Sequence, residues 1–163
     1  MMKNASRRGS GLNLEVIWKV FGIAFFVYID GISENPYIIA SFGATAILIY
    51  GAPKAPFSRP KNVFFGHLFS ALIGVTLAII ADMLGIAGDG QWLFAGLAVA
   101  TAIVTMMLTG TIHPPGGATA LTCVLSGFTS YVYVVRPVML GIVVMLAIAW
   151  CANHLRDRFT KLD

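Results

Sequence analysis

Apolar residues in this chain fall in long blocks rather than in a stripe that recurs every 3.6 positions. Such blocks predict helices that are apolar all round, the form a bilayer demands. Six can be read, at 14–29, 36–50, 63–81, 92–108, 115–135 and 138–152. At 1.5 Å per residue, a block of about 17 residues reaches ~26 Å, enough to cross a thin hydrocarbon core. The first opens on Glu15 and Lys19, which are spaced to pair across one helical turn. The second and fifth are interrupted by glycine and proline.

Composition agrees with the blocks. Of the 163 residues, 58% are hydrophobic and 11% charged, whereas a soluble domain needs about 25% charged residues to cover its surface. The reading is therefore an all-α membrane protein. Its net charge of +4 sits at block ends and not along one face, which argues against a nucleic-acid partner. Lys3, Arg7 and Arg8 precede the first block; Lys54, Arg59 and Lys61 separate the second from the third; Arg156, Arg158 and Lys161 follow the sixth. If all six blocks cross, every basic cluster lies on one side. Both termini are then cytoplasmic, in a multi-pass protein of the cell (inner) membrane. Residues 1–13 and 156–163 are expected to be cytoplasmic tails, the first of them disordered, around a single transmembrane domain at 14–155.

Gly43-Ala44-Thr45-Ala46 recurs as Gly117-Ala118-Thr119-Ala120, and Arg59-Pro60 recurs as Arg136-Pro137. Two halves follow, 14–84 and 91–155, each of three segments. Three crossings is an odd number, so the second half enters from the opposite face and the repeat is inverted. Asn35-Pro36 and His113-Pro114-Pro115 should be extended, because proline disfavours helix in the residue before it. Short helices at 42–51 and 116–127 would then start near the bilayer midplane. The expected fold is four full transmembrane helices plus two broken or half-spanning ones. Their converging N-termini, with unpaired N–H groups and partial positive charge, would form an anion site.

SFGATAILIYGAP at 41–53, RPKNVFFGHLFSALIG at 59–74 and TGTIHPPGGATAL at 109–121 together resemble the HPP family of integral membrane proteins, named for a His-Pro-Pro motif. The resemblance covers most of the chain beyond the N-terminal tail. It implies about four transmembrane helices, with Gly43, Ala44, Asn62, Gly66, His67, Ser70, His113, Pro114, Pro115, Gly117, Ala118 and Thr119 on the family pattern. Some plastid and cyanobacterial relatives are associated with nitrite transport. The chain departs from the pattern at Ser41, where a proline is expected.

Residue chemistry points the same way. Gly43, Ala44, Thr45, Gly117, Ala118 and Thr119 are expected to line the anion site, with His113 as a donor or proton-linked gate. Gly66, Ser70 and Gly74 form a small-residue face for close helix packing, and His67 lies beside it. Thr101, Thr105 and Thr109 form a hydroxyl stripe leading towards His113, although such hydroxyls often bond their own helix. Trp92, Tyr131, Tyr133 and Trp150 fit interfacial belts. Cys123 and Cys151 lie in apolar blocks with no metal-binding spacing, and no nucleophile–base pair suggests an enzyme. The expectation is a carrier or channel for a small inorganic anion, nitrite first, with no cofactor and no metal. Such a protein would assemble as a homo-oligomer, six short segments being few to enclose a wet path. A non-transporting membrane scaffold is the alternative.

Overall fold

The computed structural model describes residues 36–86 and 90–159. The first apolar block, the tail at 1–13 and the last four residues lie outside them. Every regular element among the described residues is helical. Helix α1, Pro36–Ala46, continues into a π-helical turn at Ile47–Gly51, and a short 3-10 turn occupies Pro56–Ser58. Then come α2 (Pro60–Met83), α3 (Gln91–Thr109) and α4 (Pro114–Leu125). A π-helical stretch at Val134–Met139 leads into α5, Leu140–Phe159, so the last helix runs four residues into the expected tail.

Prolines set the helix starts. Pro60 and Pro114 stand at first helical positions, where proline has no useful N–H to lose and its φ is already helical, and Pro36 is helical too. Arg59 and His113, the residues before two of them, are extended. The same logic applies at Arg136-Pro137, where Arg136 leaves the helical region (φ −138°, ψ 114°). An Arg-Pro pair thus breaks the helical course at both places.

Two expectations are corrected. The first short helix does not begin at Phe42: Pro36 starts it six residues earlier, so Gly43 lies inside a continuous helix. The fifth block does not run to 135. Helix α4 ends at Leu125, where Gly127 takes a positive φ of 64° and the N–H of Phe128 donates to the Cys123 carbonyl. That left-handed glycine closure satisfies the last carbonyls and turns the chain away.

Among the described residues three helical stretches are long and apolar enough to cross a membrane: Pro60–Met83, Gln91–Thr109 and Val134–Cys151, with mean hydropathies of 2.2, 1.9 and 2.2. One face of α3 carries Leu93, Leu97, Val104 and Leu108, all exposed, as a lipid-facing surface would. Its other face is a seam of Ala95, Ala98, Ala102 and Met106 packed against Ala120 and Val124 of α4. A second apolar cluster joins α1, α2 and α5 through Phe42, Val63, Val75, Ile142 and Met145. Trp92, Tyr131 and Trp150 are exposed, but Tyr133 is buried and stacks on Phe128 at 3.9 Å, so it belongs to the interior.

Helix α2 meets α4 backbone to backbone. A Cβ added to Gly66 would lie 2.7 Å from the His113 Cβ, one on Gly74 would lie 2.8 Å from the Ala120 carbonyl, and one on Gly116 would lie 2.8 Å from the Gly66 carbonyl. The Gly66–Ser70–Gly74 face is therefore the close-packing face its spacing suggested. Gly74→Val should force the helices apart and lower stability by about 1–3 kcal/mol or more. Gly96→Ala, at a position with open space around it, should not. Thermal unfolding of both variants in detergent would check this.

Candidate functional site

The α2–α4 contact brings the two buried histidines side by side. Gly110 ends α3 with a φ of 63°, and its turn sends Thr111, Ile112 and His113 back along α2 as an extended strap. The Asn62 side-chain amide donates to the Ile112 carbonyl and ties the strap down. His113 then caps the start of α4, 5.0 Å between ring centroids from His67 of α2. Both rings are fully buried.

Helix α1 completes the cluster. Ser41 meets Pro115 and Thr119, and Thr45 meets His113, so α1 and α4 run in opposite directions alongside each other. Phe42 abuts the His67 ring edge-on at 5.9 Å. The N-termini of α1 and α4 consequently pass each other instead of converging tip to tip. This follows from the early start of α1 at Pro36.

The polar atoms form one chain. His113 Nδ1 lies 2.8 Å from the Phe57 carbonyl, and a carbonyl only accepts, so this nitrogen carries a proton. Ser41 Oγ lies 3.0 Å from the Pro115 carbonyl, to which it can donate, and 2.6 Å from Thr119 Oγ1, a pair in which either hydroxyl can be the donor. Thr119 Oγ1 is also 2.9 Å from His67 Nδ1. Both Nε2 atoms then face Thr45 Oγ1, at 2.8 Å from His67 and 3.1 Å from His113. Thr45 Oγ1 is also 3.0 Å from the Ser41 carbonyl. Ser41, Thr45 and Thr119 are each at most 4% exposed. The two repeated Gly-Ala-Thr-Ala segments thus meet through their threonines, on the two nitrogens of His67.

Other expected residues stand apart from this chain. Thr105 and Thr109 are on α3 and donate to the carbonyls of Thr101 and Thr105, as hydroxyls in helices commonly do. Ala44 faces outward and Gly43 has open space beside it. Gly117 and Ala118 are the fourth and fifth residues of α4, but Pro114 and Pro115 have no N–H, and the Gly116 N–H already donates to the His113 carbonyl. Hydrogen-bond donors here are side chains more than a helix terminus. His67 lies seven residues into α2, about 10 Å from its start, so the cluster is nearer that end than the middle. Ser41, absent from the expected set, is a full member; its signal in the sequence was a hydroxyl at a position where the resemblance leads one to expect proline. Ser70 Oγ, one turn beyond His67, is buried with no hydrogen-bond partner. Among the described residues no three His, Cys, Asp or Glu side chains gather.

The family model for the HPP transmembrane region matches residues 8–160, nearly the whole chain. The chain belongs to the HPP family. It is a multi-pass membrane protein. Two proteins of Dictyostelium discoideum, both described as transmembrane proteins, are similar to it: one is 41% identical over 124 residues and the other 35% over 125. The matches cover 74% and 75% of this chain but 39% and 43% of the relatives, so the chain spans about two-fifths of their length. No solved structure matches it. The His-Pro-Pro of the family name is here the N-cap of α4 and one pole of the buried cluster.

Removing one hydroxyl from a closed buried chain leaves its partners unsatisfied, which costs about 1–3 kcal/mol. Thr119→Val should destabilise the protein by that amount and Thr119→Ser by much less. Thr105→Val, which removes only a bond to its own helix, should stay within about 0.5 kcal/mol. Unfolding free energies in mixed micelles would distinguish these outcomes.

Proposed function

We propose that the protein transports a small inorganic anion across the inner membrane, nitrite foremost, through the cluster of Ser41, Thr45, His67, His113 and Thr119. The observation that carries this reading is the cluster itself: five buried polar side chains from three segments, joined in one chain inside a largely apolar bundle. Titratable groups within a membrane domain are expensive and mark pathways more often than scaffolding. Hydroxyls and imidazole N–H groups can donate to an oxyanion. The charged side chains described, Lys54, Arg59, Lys61, Asp82 and Arg136, are all exposed, so no described carboxylate stands at the cluster to repel an anion.

The narrow cleft beside the cluster, lined by Ser41, Phe42, Thr119, Thr122, Tyr133 and Val138, leaves no room for a water molecule. Transport through it therefore requires helix movement, and a carrier cycle suits that better than an open pore. Opposite directions of α1 and α4 support two inverted halves, the architecture in which alternating access is common. Cytoplasmic termini and a homo-oligomer belong to the same reading.

Purified protein in liposomes should take up nitrite, while His67→Ala and His113→Ala should each lower the rate at least tenfold with insertion intact. Thr105→Val should transport like the wild type. Absence of uptake by the wild-type protein, or undiminished uptake by both histidine variants, would refute the proposal.

A further inference from the structure

The sequence repeat extends well beyond Gly-Ala-Thr-Ala, and packing follows it. At an offset of 74 positions, without a gap, Gly43-Ala44-Thr45-Ala46 falls on Gly117-Ala118-Thr119-Ala120, Trp18 on Trp92, Gly22 on Gly96 and Ala24 on Ala98. In the last helix of each half, an offset of 75 puts Val63 on Val138 and Gly66 on Gly141. Both valines are buried. A Cβ added to Gly116 would meet the Gly66 carbonyl, and one added to Gly141 would meet the ring of Phe42, the residue that corresponds to Gly116.

One packing contact lacks its counterpart. Helix α3 covers the outer face of α4: Gly117 is buried, a Cβ added to it would lie 3.8 Å from Val99 Cγ1, and Leu121 packs into the alanine seam. The corresponding face of α1 is bare. Among the described residues nothing stands within 4 Å of a Cβ added to Gly43, Ala44 is exposed, and Ile47, which corresponds to Leu121, is 69% exposed. Ala40, Gly43 and Ala44 make this face one that another helix can approach closely.

We infer that the first apolar block of the same chain, at 14–29, lies along this face of α1 with Phe25 against Gly43, as α3 lies along α4 with Val99 against Gly117. The inference rests on the reading of two inverted halves, and not on what the protein carries. The block is tethered to its site, since residues 30–35 join it directly to Pro36 at the start of α1. It also has the side chains to fill the face. Phe21, Phe25 and Tyr28, spaced to share one side of a helix, stand where α3 has Ala95, Val99 and Ala102. Lys19 falls with Leu93, which is 74% exposed, and so points away from α1. Ser41 and Thr45 already reach α2 and α4 from α1. With the block in place, the polar cluster stands at the centre of the segments and not at their edge.

The test is cysteine trapping in the full chain in lipid nanodiscs, in a background of Cys123→Ala and Cys151→Ala. Phe25→Cys with Gly43→Cys should close to an intrachain disulfide under mild oxidation, as Val99→Cys with Gly117→Cys should in the other half. Phe26→Cys with Gly43→Cys should stay reduced, because position 26 corresponds to the exposed Ala100. Should cysteine at 25 disturb folding, p-azidophenylalanine there keeps the shape of the ring and should photo-couple within residues 40–47 of its own chain. A bond from 26 and not from 25, photo-coupling outside α1, or a bond joining two chains would overturn the inference. The two-half reading is checked separately in liposomes: an impermeant maleimide should label Trp18→Cys and Trp92→Cys from opposite sides of the membrane. Labelling from one side would sink that reading and the inference with it. Labelling from opposite sides, with neither the bond from 25 to 43 nor the photo-coupling, would sink the inference alone.

Discussion

Everything in this domain depends on how closely α2 and α4 approach. The contact is made by backbone, because Gly66, Gly74 and Gly116 leave no side chain to hold the helices apart. In lipid the hydrophobic effect does not drive helices together, so such contacts rely on van der Waals packing and interhelical hydrogen bonds. Here the two act at the same place. A Cβ at Gly66 would collide with His113, and Gly66 directly precedes His67. The glycine that permits the approach therefore sets the separation of the two imidazoles, and any widening would stretch the direct α2–α4 contact between His67 and Thr119.

That arrangement also accounts for the shape of the helices around it. The extended strap before Pro114 must run along α2 for His113 to reach the Phe57 carbonyl, and the left-handed turn at Gly110 with the Asn62 amide puts it there. Helix α1 lies beside α4 with Ser41 and Thr45 one turn apart, matching the span from Thr119 to His113. A buried network of this kind is favourable only when its members are satisfied. The protein meets that condition with hydroxyls able both to donate and to accept.

Much of this was legible in the chain. Block boundaries placed α2 and α3 within a few residues, since uninterrupted apolar runs leave little choice of structure in lipid. The repeat pointed to the site through Thr45 and Thr119. It could not reveal that the threonines meet on His67, because a partner 22 or 52 residues distant in sequence is fixed by packing and not by local pattern. Proline was over-read as a marker of extended chain: Pro36 begins a helix, and that one difference turns tip-to-tip convergence into side-by-side passage. Ser41 is visible in the sequence only as a departure from the pattern of the resemblance, because a serine beside an apolar run carries no periodic signal that would assign it to a site. The threonine stripe of α3 had the spacing of a pathway wall and faces its own backbone instead.

Disulfide trapping tests the side-by-side meeting of the two repeated segments most directly. In a background of Cys123→Ala and Cys151→Ala, the pair Ser41→Cys with Thr119→Cys should form an intrachain disulfide under mild oxidation, as their oxygens are 2.6 Å apart. The pair Gly43→Cys with Gly117→Cys should remain reduced. Cross-linking of 43 to 117 and not of 41 to 119 would mean that the segments meet at their tips, and would contradict the cluster described here.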